Sequence, residues 1–312
     1  MTYSHSKFTG YYSTVQIIQV ENQKFVHKTI RIPLSLAVVQ ELEQRIRLQR
    51  RALENMGVPI PELVGIEILQ AEGSYNLLIK EKFEGLDFLD VVDEHNFEYY
   101  IEKLLHDIFK PLLKSTKNEL TNVGIDPILR NYVYKSHEHK FCYVDFIPPK
   151  VLYKGHYSQE IPEIEGPFYD IRMFSHNNRA GLIYVQYVNF IRIFPQQRKT
   201  ILGKFEQFLE EIDEPELKRY MIKSPFYRIE NPIKAAEYVK KLTDWRGENY
   251  YYLREAICIA AELNLKFKSK QEDMFKLTTH ERDASSKEYG LLPDTNFKKV
   301  KRELIKAFKE IE

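Results

Sequence analysis

The stretch from Val123 to Phe146 concentrates the side chains that could do chemistry. It reads Val123-Gly124-Ile125-Asp126-Pro127-Ile128-Leu129-Arg130-Asn131-Tyr132-Val133-Tyr134, then a polar turn from Lys135 to Lys140, then Phe141-Cys142-Tyr143-Val144-Asp145-Phe146. Asp126 and Asn131 are five residues apart, and Asp145 follows Asn131 by fourteen. The two strand-like runs predict a tight hairpin that brings Asn131 and Asp145 together, with Asp126 on the loop above them. Two carboxylates and an amide then converge at one strand end. Oxygen ligands of this kind suit Mg²⁺ with a bound triphosphate. A carboxylate beside them can accept a proton from an attacking hydroxyl.

The elements upstream read as strands, a helix and more strands. Thr14 to Val20 and Lys24 to Ile32 are rich in β-branched residues and flank the polar turn Glu21-Asn22-Gln23, which predicts an antiparallel hairpin. From Ser35 to Met56, Leu36, Val39, Leu42, Ile46 and Leu53 recur at helical spacing. Gly57 is a stop signal, and Pro59 and Pro61 prevent continuation. Leu63 to Leu69 and Tyr75 to Phe83 are two further strands, closed by Glu84-Gly85. Beyond Gly85 the pattern turns mainly helical. Helices are expected over Leu86 to Val92, Phe97 to Leu113, Gly166 to Phe174, Leu182 to Ile193 and Lys199 to Ile212. Three more are expected over Pro232 to Leu242, Tyr250 to Leu263 and Phe297 to Ile311, with a polar loop over 265–294.

Composition narrows the function classes. The chain has 312 residues, enough for one large or two modest domains, and 43% of them are hydrophobic. Lys+Arg is 46 against Asp+Glu 45, so no global basic field draws duplex nucleic acid or an anionic membrane surface. Neither partner is expected. Cys142 and Cys258 are too few for a disulfide framework and sit in apolar surroundings, as buried thiols do in a reducing compartment. Met1 to Tyr12 has no apolar leader-like run, and Ala256 to Ala261 falls far short of the ~18 residues that span a bilayer. A soluble, cytoplasmic protein is the expectation. With 12 glycines in all, the chain carries neither G-x-G-x-x-G nor a Walker A loop, and H-E-x-x-H and G-x-S-x-G are missing too.

Asp-x-x-x-x-Asn, a hairpin and then Asp-Phe resembles the catalytic and metal-binding segments of the protein-kinase-like fold. The flavour is that of the aminoglycoside phosphotransferase and choline kinase branch. The resemblance extends over about Thr9 to Phe146 and implies an α+β, bilobal architecture. Residues 1–85 would form a nucleotide-binding N-lobe, a small antiparallel sheet with one helix. Residues 86–312 would form a larger, mainly helical C-lobe with catalytic loop, metal site and acceptor cleft. Val26-His27-Lys28 resembles the V-A-I-K strand, which makes Lys28 the phosphate-contacting lysine. The helix offers Glu43 as its ion-pair partner, with Glu41 as the alternative. Gly57-Val58-Pro59-Ile60-Pro61 looks like the G-x-P-x-P turn of small-molecule kinases, and Glu81 to Gly85, with Phe83 at its centre, looks like the adenine-binding hinge.

The activity so implied is ATP- and Mg²⁺-dependent phosphoryl transfer to a hydroxyl of a small molecule. Asp126 would be the catalytic base, and Asn131 and Asp145 the metal ligands. The lysine expected two residues after the base is Ile128, and Arg130 could supply that charge. The glycine of Asp-Phe-Gly is replaced by Ile147, followed by Pro148-Pro149, and the glycine loop is reduced to Gly10. The missing glycine and the thin glycine loop motivate one alternative, a pseudokinase that binds nucleotide without efficient turnover, and a kinase-fold nucleotidyl transferase with an altered ATP pose is a further one.

Other suggestive groups have plainer readings. Arg45, Arg47, Arg50 and Arg51 share a helix with Glu41, Glu43 and Glu54, as on a solvated, salt-bridged face. His137-Glu138-His139 falls at a hairpin tip and reads as a turn. Tyr250-Tyr251-Tyr252 reads as packing in the helical lobe, and the stripe Phe297, Val300, Leu304, Ile305 and Phe308 as a core or docking face.

Overall fold

The computed structural model describes residues 7–9, 13–30, 33–71, 73–93, 95–115, 120–152, 176–194, 197–215 and 217–218. Two compact units divide the chain, Met1–Gly166 and Pro167–Glu312. The boundary expected at residue 85 lies inside the first unit, where the chain passes from one sheet to another. The helices expected over 166–174, 232–242, 250–263 and 297–311, the 265–294 loop, Cys258 and Gly10 lie outside the described residues.

The first unit is α+β. Strands β1 (Lys7–Thr9), β2 (Ser13–Val20), β3 (Gln23–Ile30), β4 (Leu63–Ala71) and β5 (Ser74–Lys82) form an antiparallel sheet in the order β1-β2-β3-β5-β4. Helix α1 (Leu36–Met56) connects β3 to β4. Its start and stop follow from local chemistry. Ser35 caps it by accepting a hydrogen bond from the Val38 N–H at 3.4 Å. Gly57 takes a left-handed φ of 82° and donates its N–H back to the Glu54 carbonyl. The expected apolar stripe of α1 is buried at Val39, Leu42, Ile46 and Leu53, and packs on the β5 side of the sheet.

A second sheet, in the order β6-β7-β8, comprises β6 (Leu86–Asp87), β7 (Tyr132–Lys135) and β8 (Lys140–Tyr143). The helix expected from Leu86 therefore starts two residues late. Leu86 and Asp87 first pair with Tyr134 and Val133. The Asp87 carboxylate then accepts from the Leu89 and Asp90 N–H groups and starts α2 (Phe88–Val91). Gly85 makes this switch possible. A Cβ there would collide with the Tyr134 carbonyl oxygen. Helix α3 (Phe97–Leu104) runs through a π-helical turn, Leu105–Phe109, into α4 (Lys110–Lys114), and Asp107 of that turn accepts from the Phe141 N–H at 2.9 Å. The β7–β8 hairpin is thus seated on the helices by Asp107 and on the turn after α1 by Tyr143 N–H to Pro59 carbonyl, 2.9 Å.

In the second unit, α5 (Arg179–Ile193) is capped by Asn178, whose side chain accepts from the Gly181 N–H, and α6 (Arg198–Glu211) packs on it. Tyr187 and Phe190 meet Phe205 edge-on at 5.7 and 5.9 Å. These are the helices expected over 182–193 and 199–212. Among the described residues no helix is long and apolar enough to cross a membrane.

Candidate active site

Lys28 and Glu81 meet because of strand register. Lys28 lies opposite Ile79 and Val26 opposite Glu81, so the period of two puts Lys28 and Glu81 on one face as diagonal neighbours. Their side chains pair at 2.6 Å. The same carboxylate takes Arg50 from α1, whose guanidinium also donates to the Pro61 carbonyl and lies over the Phe146 ring at 4.5 Å. Arg50 and Glu81 side chains are 4% and 2% exposed. The Lys28 ammonium also donates to the Val144 carbonyl, immediately before Asp145. Two buried cations thus share one carboxylate.

This corrects three expectations. Lys28 pairs with Glu81 and not with Glu43, which is tied to Arg47 at 2.8 Å, or with Glu41, which is tied to Arg45 at 2.6 Å. Arg50 does not belong to the solvated face, because its position continues the buried 39-42-46-53 stripe. Phe83 does not offer a spare hinge donor, because its N–H is donated to the Lys24 carbonyl at 3.0 Å.

The Asp126 loop is built by short-range hydrogen bonds. Ile128 N–H reaches the Asp126 carbonyl at 2.8 Å, and the Asn131 amide donates to the same oxygen at 3.2 Å. The Asp126 N–H donates to the Tyr143 hydroxyl at 2.9 Å, which anchors the loop to β8. Val144 N–H to Asn131 carbonyl, 3.0 Å, carries the hairpin ladder on towards Asp145. These bonds tie the Asp126 loop, Asn131 and the residue before Asp145 to the hairpin base. Burial, then the charges of Asp145 and Asp126, hold the Tyr143 hydroxyl well above the ordinary tyrosine range. Burial and then Asp126 do the same to Tyr132. Burial pushes the Cys142 thiol in β8 up to about 12, leaving it protonated. Arg130 turns away to Asp87 at 2.7 Å and is about half exposed.

Asp145 has a partner that the sequence reading missed. Its Oδ1 accepts from the Ile147 N–H at 3.2 Å, and its Oδ2 from the Lys150 ammonium at 2.6 Å. Lys150 is held from both sides. Its N–H donates to the Gln49 side chain at 3.2 Å, and its carbonyl accepts from the Gly124 N–H at 2.8 Å. Gln49 closes the ring by donating to the Gly124 carbonyl at 2.9 Å. Gln49, like Arg50, lies on the stripe of α1 that faces inward, so helical phase was the available signal. For Lys150, five residues beyond Asp145, no period pointed to it.

As folded, this donor set does not fit Mg²⁺. The one carboxylate of the proposed ligand pair already carries a lysine. A divalent ion sharing it would be repelled by that ammonium, and two like unit charges about 4 Å apart cost about 4 kcal/mol near a protein surface. Among the described residues no group of three or more His, Cys, Asp or Glu side chains comes together as a metal site, and His137-Glu138-His139 is an exposed turn. The chain matches no protein-family model and no curated protein.

Proposed function

We propose that this chain is a nucleotide-binding protein on a protein-kinase-like frame, a pseudokinase that holds ATP without efficient turnover. The observation that carries the reading is the Lys28–Glu81–Arg50 cluster. Its one carboxylate serves two buried cations, which leaves a positive excess directly beside the strand end that bears Asp145. A polyphosphate is a chemically suitable counter-ion for such an excess. The order of elements supports the frame, with the lysine on the third strand, a helix between the third and fourth, and Asp126, Asn131 and Asp145 around a later hairpin. The engagement of Asp145 by Lys150 favours binding over turnover.

A second reading is an active phosphotransferase with a small-molecule hydroxyl acceptor. The hydrogen bonds that fix the Asp126 loop to Tyr143 and Asn131 favour it, because a general base must be held in place. One experiment separates the two. ATP at a hundredfold excess over its Kd should stabilise the chain by about 2.7 kcal/mol in thermal unfolding. Under the pseudokinase reading, ATP hydrolysis and a screen of hydroxyl acceptors stay at the background of Asp126→Asn. Under the second, Asp126→Asn lowers turnover by about 10²–10⁴-fold and leaves ATP affinity within about threefold. No shift at millimolar ATP would overturn both.

A further inference from the structure

Lysine is almost never fully buried unless something compensates its charge. Lys150 is 2% exposed, while its partner Asp145 is 25% exposed, so of the two the carboxylate is the one that reaches solvent. The lysine's backbone is also fixed in place. Its N–H and carbonyl are clamped by Gln49 of α1 and by Gly124 of the loop that leads to Asp126. The Val123 and Val151 backbones pair antiparallel beside it, and the Leu152 N–H reaches the Asn122 carbonyl at 2.8 Å. The backbone that carries the lysine to Asp145 is therefore fixed by two other stretches of chain, α1 and residues 122–124.

We infer that the Lys150 ammonium stands at Asp145 in place of a divalent metal ion, so that this site takes a polyphosphate ligand without Mg²⁺. The ligand half of this rests on the nucleotide-binding reading above. The exclusion of metal rests on the lysine geometry alone. Lys150 then neutralises Asp145, the excess cation charge that a polyphosphate meets is that of Lys28 and Arg50 over their one shared carboxylate, and its binding does not depend on free divalent ion.

The test uses the full chain and Mn²⁺, followed by the electron paramagnetic resonance signal of the free ion. Wild type should take up no Mn²⁺ that depends on Asp145, with Asp145→Asn as comparator. Lys150→Met keeps the length and the apolar stem, frees the carboxylate, and should tighten Mn²⁺ binding by at least about tenfold. Adding Asp145→Asn should abolish that gain. Asp145-dependent Mn²⁺ uptake by wild type, or no gain in a folded Lys150→Met chain, overturns the inference. If Lys150→Met does not fold, the wild-type and Asp145→Asn measurements decide alone. ATP-induced thermal shifts in EDTA and in Mg²⁺ supply the second arm. Equal shifts support the inference, and a shift that needs Mg²⁺ overturns it. A shift in neither buffer defeats the nucleotide reading and leaves the Mn²⁺ result to decide the lysine's role.

Discussion

Among the described residues, Glu81 is the carboxylate that the Lys28 ammonium and the Arg50 guanidinium share, and its removal is the most informative perturbation of the buried cluster. Glu81→Gln keeps the volume and one acceptor oxygen but leaves two buried cations without counter-charge. Removing one partner of a buried pair costs about 3–5 kcal/mol. Two cations depend on this one, which pushes towards the upper end. The Val144 and Pro61 carbonyls still solvate them, which pulls back. The expected loss is about 4 kcal/mol, or a urea midpoint lower by about 2 M at a slope of about 2 kcal/mol/M.

Two companions fix the cause. Lys28→Met leaves a balanced Arg50–Glu81 pair and should cost no more than about 1 kcal/mol. Glu43→Gln breaks only the part-exposed pair with Arg47 and should cost about 0.5 kcal/mol or less. The assay is urea unfolding of the full chain followed by far-ultraviolet circular dichroism. The reasoning fails if Glu81→Gln shifts the midpoint by less than about 0.5 M. It also fails if Lys28→Met costs as much as Glu81→Gln, because the cluster would then hold no excess positive charge.

Gly85→Ala should destabilise by about 3 kcal/mol or more, since its Cβ meets the Tyr134 carbonyl oxygen where β6 joins β7. Gly73→Ala, at φ 83° with open space around it, should cost only about 1 kcal/mol, and equal losses in urea midpoints would refute the steric account. The raised Tyr132 and Tyr143 hydroxyls make stability pH-dependent on the alkaline side. In the unfolded chain tyrosine ionises near pH ~10, so their contribution is full below that pH and is lost as pH rises beyond it. Tyr132→Phe should flatten the fall in urea midpoint between about pH 8 and about pH 11, and parallel curves would refute the assignment.

Much of the first unit was legible in the sequence because its signals are local. β-Branched runs around a polar turn marked β2 and β3, helical spacing up to the Gly57 stop marked α1, and the polar turn Lys135 to Lys140 marked the hairpin that places Asp145 after Asn131. Backbone dihedral preference and side-chain period act within a few residues, so one strand of text suffices to read them. The pairing of charges was not local. Glu43 and Glu41 sit on the expected helix, but four residues from Arg47 and Arg45, and the helix satisfies them with these near neighbours. Lys28 instead met Glu81, because the β3–β5 register set them diagonally on one face and α1 brought Arg50 over them. Asp145 met Lys150 because Gln49 and Gly124, distant in sequence, clamp that lysine's backbone. A buried charge takes whichever counter-charge the packed elements deliver, and only the tertiary structure decides which one that is.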